Sequence, residues 1–294
     1  MGNVVGGIFT SHVPAIGNAI ARERQSDPYW KPFFDGFVPV RRWLEAVSPD
    51  VAIVFSNDHG LNFFLDNMPT FAIGAASEYR NADEGWGLPV YRALPGDQAL
   101  SWHIIEHLVA DEFDISTCQS MLLDHAVSIP FELCWPGDRP RAVRVVPIAI
   151  NTVQHPLPSP KRCLALGRAV GAALRSWEGP EKIVVFGTGG LSHQLEGRRA
   201  GFINRDYDRF CMDHLSADPD ALTLHSALDI VELAGSQGVE ILNWIAARGA
   251  LGDRAAELSR NYHVPISNTA AATMLLEAGT AVVKPRTVSL ETVA

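Results

Sequence analysis

VAIVFSNDHG, residues 51–60, changes character halfway: five apolar residues from Val51 to Phe55 give way to Ser56, Asn57, Asp58, His59 and Gly60. A short unbroken apolar run rich in β-branched residues suits a strand buried on both faces, as in a parallel sheet covered by helices. Open sheets of that kind bind ligands outside the carboxyl ends of their strands, which puts His59 where chemistry is expected. The pattern recurs. Near the N-terminus VVGGIFTSHVP leads into Ser11 and His12, and KIVVFGTGGLSHQL passes through Thr188 and two glycines into Ser192 and His193. A fourth run, VRVVPIAINTVQH, reaches His155, but Pro147 interrupts it and the histidine lies further from the apolar part, so His155 carries less weight.

Helices feed these strands. Val40, Trp43, Leu44 and Val47 fall at helical spacing before the Val51 strand, and the Ala- and Leu-rich segment 161–177 precedes the Ile183 strand. The expected fold is therefore α/β, a single large domain over residues 1–294 with a central, largely parallel or mixed sheet flanked by helices. Residues 25–37, aromatics mixed with Pro and Gly, read as a structured loop, and residues 77–97 as a long exposed loop bordering a site. On a helix over 98–110, His103 and His107 stand four apart; without an H-E-x-x-H arrangement they read as surface residues rather than a metal pair. A Pro/Gly turn is predicted at 136–140. From Asn204 onward the pattern predicts mostly helix, including 238–251 and 269–279, and the tail from Thr280 has no assigned role.

Composition narrows the function. Hydrophobic residues make up 47% of the 294 and charged ones 19%, a globular balance, and no apolar run is long enough to span a bilayer. A net charge of -9 without a basic run argues against nucleic acid, whose affinity rests on clustered Lys and Arg. No basic segment followed by an apolar stretch opens the chain, so the expected location is the cytoplasm. Cys118, Cys134, Cys163 and Cys211 form no C-x-x-C pair, which points away from a disulfide framework and from a thiolate zinc site.

Three histidines in one strand-end pattern outweigh one. Neutral imidazole is the commonest metal ligand, and two histidines with one carboxylate and open positions make the arrangement of non-haem iron(II) oxygen chemistry. Glu240 is the candidate carboxylate, at the start of a helix that continues Ile241, Leu242, Trp244 and Ile245. Complementing the helix dipole is an equally good reading of it, although its capping-box partner position holds Gln237 rather than Ser or Thr.

Taken together, the motifs resemble the class III extradiol ring-cleavage dioxygenases, and within them the catalytic β chains acting on protocatechuate. The resemblance covers most of the chain and rests on SHVPAIG around His12, SNDH ending in His59, FAIG with the later ADEGWG, GTGGLSHQL around His193, the GVE ending in Glu240, and HVPISNTA at 263–270. It implies that His12, His59 and Glu240 hold iron(II), that His193 is the acid/base residue, and that His125 lies beside the substrate. It further implies that Ser267, with Asn268 in the same SNTA segment, hydrogen-bonds a substrate carboxylate. Ser267 also reads as part of a helix N-cap, a ready seat for a carboxylate. The implied reaction is extradiol (meta) cleavage by dioxygen of a catecholic aromatic acid such as protocatechuate, with gallate, methylgallate and other catechols as alternatives. The implied partner is either a small α chain over the pocket mouth, meeting residues 77–97 and 25–37, or a second copy in a homodimer. A zinc hydrolase with the same ligands and a non-catalytic binding protein are the rival readings. Asn57 and Asp58 read equally as hydrogen-bond partners of the site and as turn formers.

Overall fold

The computed structural model describes residues 3–137 and 143–279. Its first half contains β1 (Asn3–Thr10), α1 (Pro14–Ala21), α2 (Lys31–Asp35), α3 (Phe37–Val47), β2 (Val51–Ser56), β3 (Phe71–Gly74), β4 (Glu78–Tyr79), β5 (Leu94–Pro95), α4 (Gln98–Ala110), β6 (Ser116–Cys118) and α5 (His125–Cys134). The second half contains β7 (Arg144–Ile150), α6 (Pro160–Ser176), β8 (Lys182–Thr188), α7 (Arg205–Ala217), α8 (Ala227–Ala234), α9 (Ile241–Ala250), β9 (Ala255–Ile266) and β10 (Thr269–Ala278).

The apolar runs form strands because each has two faces to bury. In β2, Val51, Ile53 and Phe55 enter one core while Ala52 and Val54 enter the other. β8 divides likewise, Ile183 and Val185 against Val184 and Phe186. Helices α4, α6, α7, α8 and α9 cover the first core, and α1, α2, α3 and α5 the second. Between them lies one eight-stranded sheet in the order β6-β3-β7-β2-β8-β1-β10-β9. Its centre, β7-β2-β8-β1, is parallel, whereas β3 runs antiparallel to β7 and β10 antiparallel to β1, so the sheet is mixed. This is the expected α/β architecture. Since β1, β2 and β8 run the same way, their carboxyl ends open at one edge, with Thr10 in register with Thr188.

The expectation of mostly helix from Asn204 onward fails at its C-terminal end, where residues 255–266 form β9. Residues 269–279, predicted as helix from their Ala and Leu content, form β10, which pairs with β1 on one side and β9 on the other. Eight of its ten residues are buried. Small residues suit it, since Ala270 and Ala272 pack into one core and Ala271 into the other; burial on both faces overrides intrinsic propensity. The helix over 238–251 does form, as a short 3-10 turn at Gly238–Glu240 followed by α9, every residue of which is buried. Residues 25–37 contain α2, held to β9 by Asn261 Nδ2, which donates to Pro32 O at 2.7 Å. Among the described residues no helix is long and apolar enough to cross a membrane. The turn predicted at 136–140 lies partly, and the tail from Thr280 wholly, outside the described residues.

Candidate active site

β1 ends at Thr10, and His12 follows into a buried position. Its Nδ1 lies 3.2 Å from Thr188 Oγ1, at the end of β8, while its Nε2 is buried with no hydrogen-bond partner. A buried imidazole nitrogen without a partner is costly unless something binds it. Burial lowers the His12 pKa against the opposing pull of Glu240, so the ring is held neutral, the form that ligates metals.

His59 follows β2 through Asn57 and Asp58, whose roles separate here. Asp58 builds the turn, accepting from the backbone N–H groups of Gly60, Leu61, Asn62 and Phe63. Asn57 belongs to the site: its Nδ2 reaches His59 Nε2 at 3.0 Å and donates to Glu240 Oε1 at 3.4 Å. Asn243 Nδ2 in turn donates to Asn57 Oδ1 at 3.1 Å and fixes the amide. On its other side His59 Nδ1 donates to Asp124 Oδ2 at 2.9 Å, the kind of carboxylate partner that orients metal-binding histidines. Burial works against charge on His59, yet Asp124 and then Glu240 push its pKa up to about 10. Burial likewise opposes charge on Asp124, but His59 and His125 hold it well below the usual carboxylate range.

Glu240 arrives from across the pocket on the turn before α9. Its Oε2 lies 3.5 Å from His12 Nε2 and its Oε1 3.6 Å from His59 Nε2. Two donors each about 2.1 Å from one ion stand about 3.0–3.4 Å apart at octahedral to tetrahedral angles; the two separations run to different carboxylate oxygens and lie just beyond that range, so an ion shared by all three side chains would draw them slightly inward. The carboxylate is kept in place by Gly190 N–H, which donates to Oε2 at 2.9 Å. Burial raises its pKa, but His12, His59 and His193 around it hold it well below the usual range. A neutral imidazole, a second imidazole that keeps Nδ1–H on Asp124 and would exchange its Nε2 proton for the cation, and an ionised glutamate form a donor set that fits a divalent transition-metal ion.

His193 stands on the far side of the same carboxylate, Nε2 to Glu240 Oε2 3.8 Å. Its Nδ1–H donates to Leu191 O at 2.9 Å, which leaves the Nε2 of the neutral ring as a proton acceptor facing the cavity. His125 opens α5 and stacks on His59, ring centroids 4.1 Å apart at 25°, whereas His12 and His59 meet edge to face at 79°. Donor atoms of His12, His59 and His125 also lie within 4.8 Å of one another. The stacking of His125 on His59 turns their lone pairs into nearly parallel planes, a poorer arrangement for one ion than an ionised carboxylate facing both His12 and His59, so Glu240 is the candidate third donor and His125 a neighbour of the set.

The cavity that joins these groups is about 450 Å³ and is walled further by Trp86, Val153, Leu195, Gln237, Ser267 and Thr269. Its size is that of a small-molecule site. Ser267 lines it; Asn268 is exposed and is not among the lining residues. Neither belongs to a helix N-terminus, as predicted for Ser267. With φ of 48° and 59° they are the two central residues of the hairpin turn joining β9 to β10, Thr269 pairing with Ile266. His155 is exposed and apart from the cavity. His103 and His107 lie against each other at a tilt of 45° and share Ser176 Oγ, away from the site. Sequence reasoning missed Asp124, Glu84 and Trp86; the DH pair at 124–125 and the glycines flanking Trp86 were the available signals.

Fold and site together define an α/β protein with a candidate mononuclear metal centre of two histidines and one glutamate. The family model described as the catalytic LigB subunit of aromatic ring-opening dioxygenase matches residues 6–275, and the chain belongs to this family. The family expected from the motifs is thus the one found. The chain is 39% identical over 199 residues to gallate dioxygenase from Pseudomonas putida, a match covering 67% of this chain and 57% of that protein. It is 30% identical over 189 residues to 2,3-dihydroxyphenylpropionate/2,3-dihydroxicinnamic acid 1,2-dioxygenase from Klebsiella pneumoniae, covering 63% and 55%. With the Dechloromonas aromatica enzyme of that name, numbered 2, identity is 32% over 260 residues, covering 72% and 78%. The first two matches therefore span little more than half of each relative's length. An uncharacterized protein of Escherichia coli K12 shares the fold, with a TM-score of 0.55 at 11% identity over 92% of this chain and 99% of that one.

Proposed function

We propose that the chain catalyses extradiol (meta) cleavage of a catecholic aromatic acid by dioxygen, with iron(II) held by His12, His59 and Glu240. The observation that carries this reading is the approach of both Glu240 oxygens to two imidazole Nε2 atoms, at 3.5 and 3.6 Å, beside a third histidine in one cavity. Iron(II), when bound, keeps about one net positive charge against Glu240 and supplies the redox chemistry that lets dioxygen react with an aromatic diol.

The other residues act on the organic substrate. His193 Nε2 takes a phenolic proton and later returns one, a task suited to a side chain whose other nitrogen is already fixed on a carbonyl. His125 lies beside the ring, and Ser267 at the turn offers a hydroxyl to the substrate carboxylate, with Asn268 as its neighbour in that role. Trp86, Val153 and Leu195 give the ring an apolar surround. Protocatechuate is one candidate substrate, and the 39% identity to gallate dioxygenase favours gallate as a second. The cavity mouth is proposed to be covered by a small α chain or by a second copy of this chain, and the proposed location is the cytoplasm.

Anaerobic reconstitution with iron(II), followed by oxygen-uptake assays over protocatechuate, gallate, 3-O-methylgallate and unsubstituted catechol, tests the reading. A zinc(II)-loaded sample serves as the control. Oxygen consumption with a ring-opened product is expected with iron alone; uptake from none of the four substrates overturns the proposal, and hydrolysis of an ester or amide by the zinc form points to the hydrolase rival.

A further inference from the structure

Glu84 belongs to the loop between β4 and β5, yet its side chain retains only 8% exposure. Both oxygens are spent on one residue. Oε1 accepts from the His125 backbone N–H at 2.7 Å, and Oε2 from His125 Nδ1–H at 2.6 Å. The start of α5 already has its cap, since Asp124 accepts from Ala126 N–H at 2.8 Å, so helix capping accounts for the first bond at most. The second bond has a different effect. It fixes the rotation of the imidazole and, by occupying Nδ1–H, leaves the neutral ring with its Nε2 lone pair for the cavity.

The ring held in this way is the one stacked on His59 at 4.1 Å and met edge-on by His12 at 5.3 Å. Turned over, it would bring a second lone pair toward the metal position and withdraw Nε2 from the substrate side. The loop that delivers Glu84 is itself shaped for the place. Gly85, Trp86 and Gly87 take φ of 69°, 52° and 75°, three successive left-handed residues, and a bulky aromatic in that region is an outlier that marks a constrained function. Trp86 lines the cavity, its ring 6.2 Å from that of His125, and its carbonyl accepts from Asn18 Nδ2 at 3.1 Å.

We propose that Glu84 is a positioning residue of the candidate site: it holds His125 in one tautomer and one orientation, and through the same loop it sets the Trp86 wall beside that ring. The catalytic part of this inference rests on the ring-cleavage reading given above; the hold on His125 does not.

The test compares the full chain with its Glu84→Ala and Glu84→Gln variants. Histidine ¹⁵N spectra of the metal-free proteins, with His125 assigned through a His125→Asn variant, read the tautomer. Iron content, thermal unfolding and steady-state kinetics are measured in parallel. The wild type is expected to show His125 protonated at Nδ1, Glu84→Ala to lose that preference, and Glu84→Gln, which keeps one acceptor oxygen, to retain part of it. Iron content is expected to stay unchanged in both, while kcat falls about 10- to 100-fold in Glu84→Ala and less in Glu84→Gln, with KM nearly constant. An unchanged tautomer in both variants overturns the proposal. So does a loss of activity matched by loss of iron and of folding, which would make Glu84 merely structural. Should Glu84→Ala fail to fold, Glu84→Gln, equal in volume, carries the comparison. If the wild type opens no catechol ring, the ring-cleavage reading falls, and the spectra still decide whether Glu84 sets the His125 tautomer.

Discussion

Gly189 follows β8 with φ of 109°, and a Cβ built on it would come within 2.7 Å of both the Cβ and the Oε2 of Glu240. Conformation and space each demand glycine there. Gly189→Ala is therefore expected to push the carboxylate off its bond with Gly190 N–H and to weaken metal binding about tenfold or more, read by metal titration of the folded variant. Unaltered affinity would show that this close approach does not place the carboxylate. His12→Ala, His59→Ala and Glu240→Ala are each expected to abolish iron retention and turnover together, because a three-donor site has no spare. Full iron occupancy with turnover in any one of them removes that residue from the ligand set. His193→Phe should keep its iron and lose about 10²- to 10⁴-fold in kcat; loss of iron would make His193 a ligand. His12, His59 and His193 were legible because each follows within five residues of the end of an apolar strand. Asp124 and Glu84 were not, for their partners lie 65 and 41 residues away along the chain and are set only by how loops fold back on the sheet.

The elements show the same division between local and distant causes. β1, β2, β7 and β8 could be read from their apolar runs, and α3 and α6 from helical spacing, because burial of a continuous face leaves its period in the sequence. β10 could not, since an Ala- and Leu-rich run has no strand period and its conformation is imposed by two neighbouring strands. The turn at Ser267 and Asn268 was hidden with it, lacking the glycine that usually marks such hairpins. The helix pair α6 and α9 supplies a test of packing. A Cβ on Gly167 would overlap the Ala246 carbonyl oxygen, and one on Gly171 would stand 2.6 Å from that of Ala250. These glycines let the two helices approach closely enough for α9 to be buried throughout, and α9 follows directly on Glu240. Gly167→Val is expected to cost about 1–3 kcal/mol or more through overpacking, seen as a lower midpoint in thermal or denaturant unfolding. A midpoint equal to wild type would mean that α9 shifts freely, and the glutamate ahead of it would not be held by this contact.

In the molecule as a whole, the cavity opens to solvent. Its mouth carries Trp86, Val153 and Leu195, which are 67%, 54% and 49% exposed, an apolar rim around a charged centre. Water reaching that centre weakens every electrostatic contact inside it, so a cover that excluded water would strengthen substrate binding and proton transfer alike. The loop at 25–37, expected from sequence to meet a partner, packs on the β9 edge and does not line the cavity. The surface proposed to meet a cover therefore narrows to the 77–97 loop and the rim residues. With a small α-type chain co-expressed, the complex is expected to sediment as a heteromer and to show a higher kcat/KM than this chain alone; the gain should be lost on Trp86→Ala if the rim is where the cover sits. Sedimentation velocity and steady-state kinetics on the same preparations decide between the alternatives. Full activity from a chain that sediments as a homodimer would rule out a separate cover and make a second copy of this chain the element that closes the site.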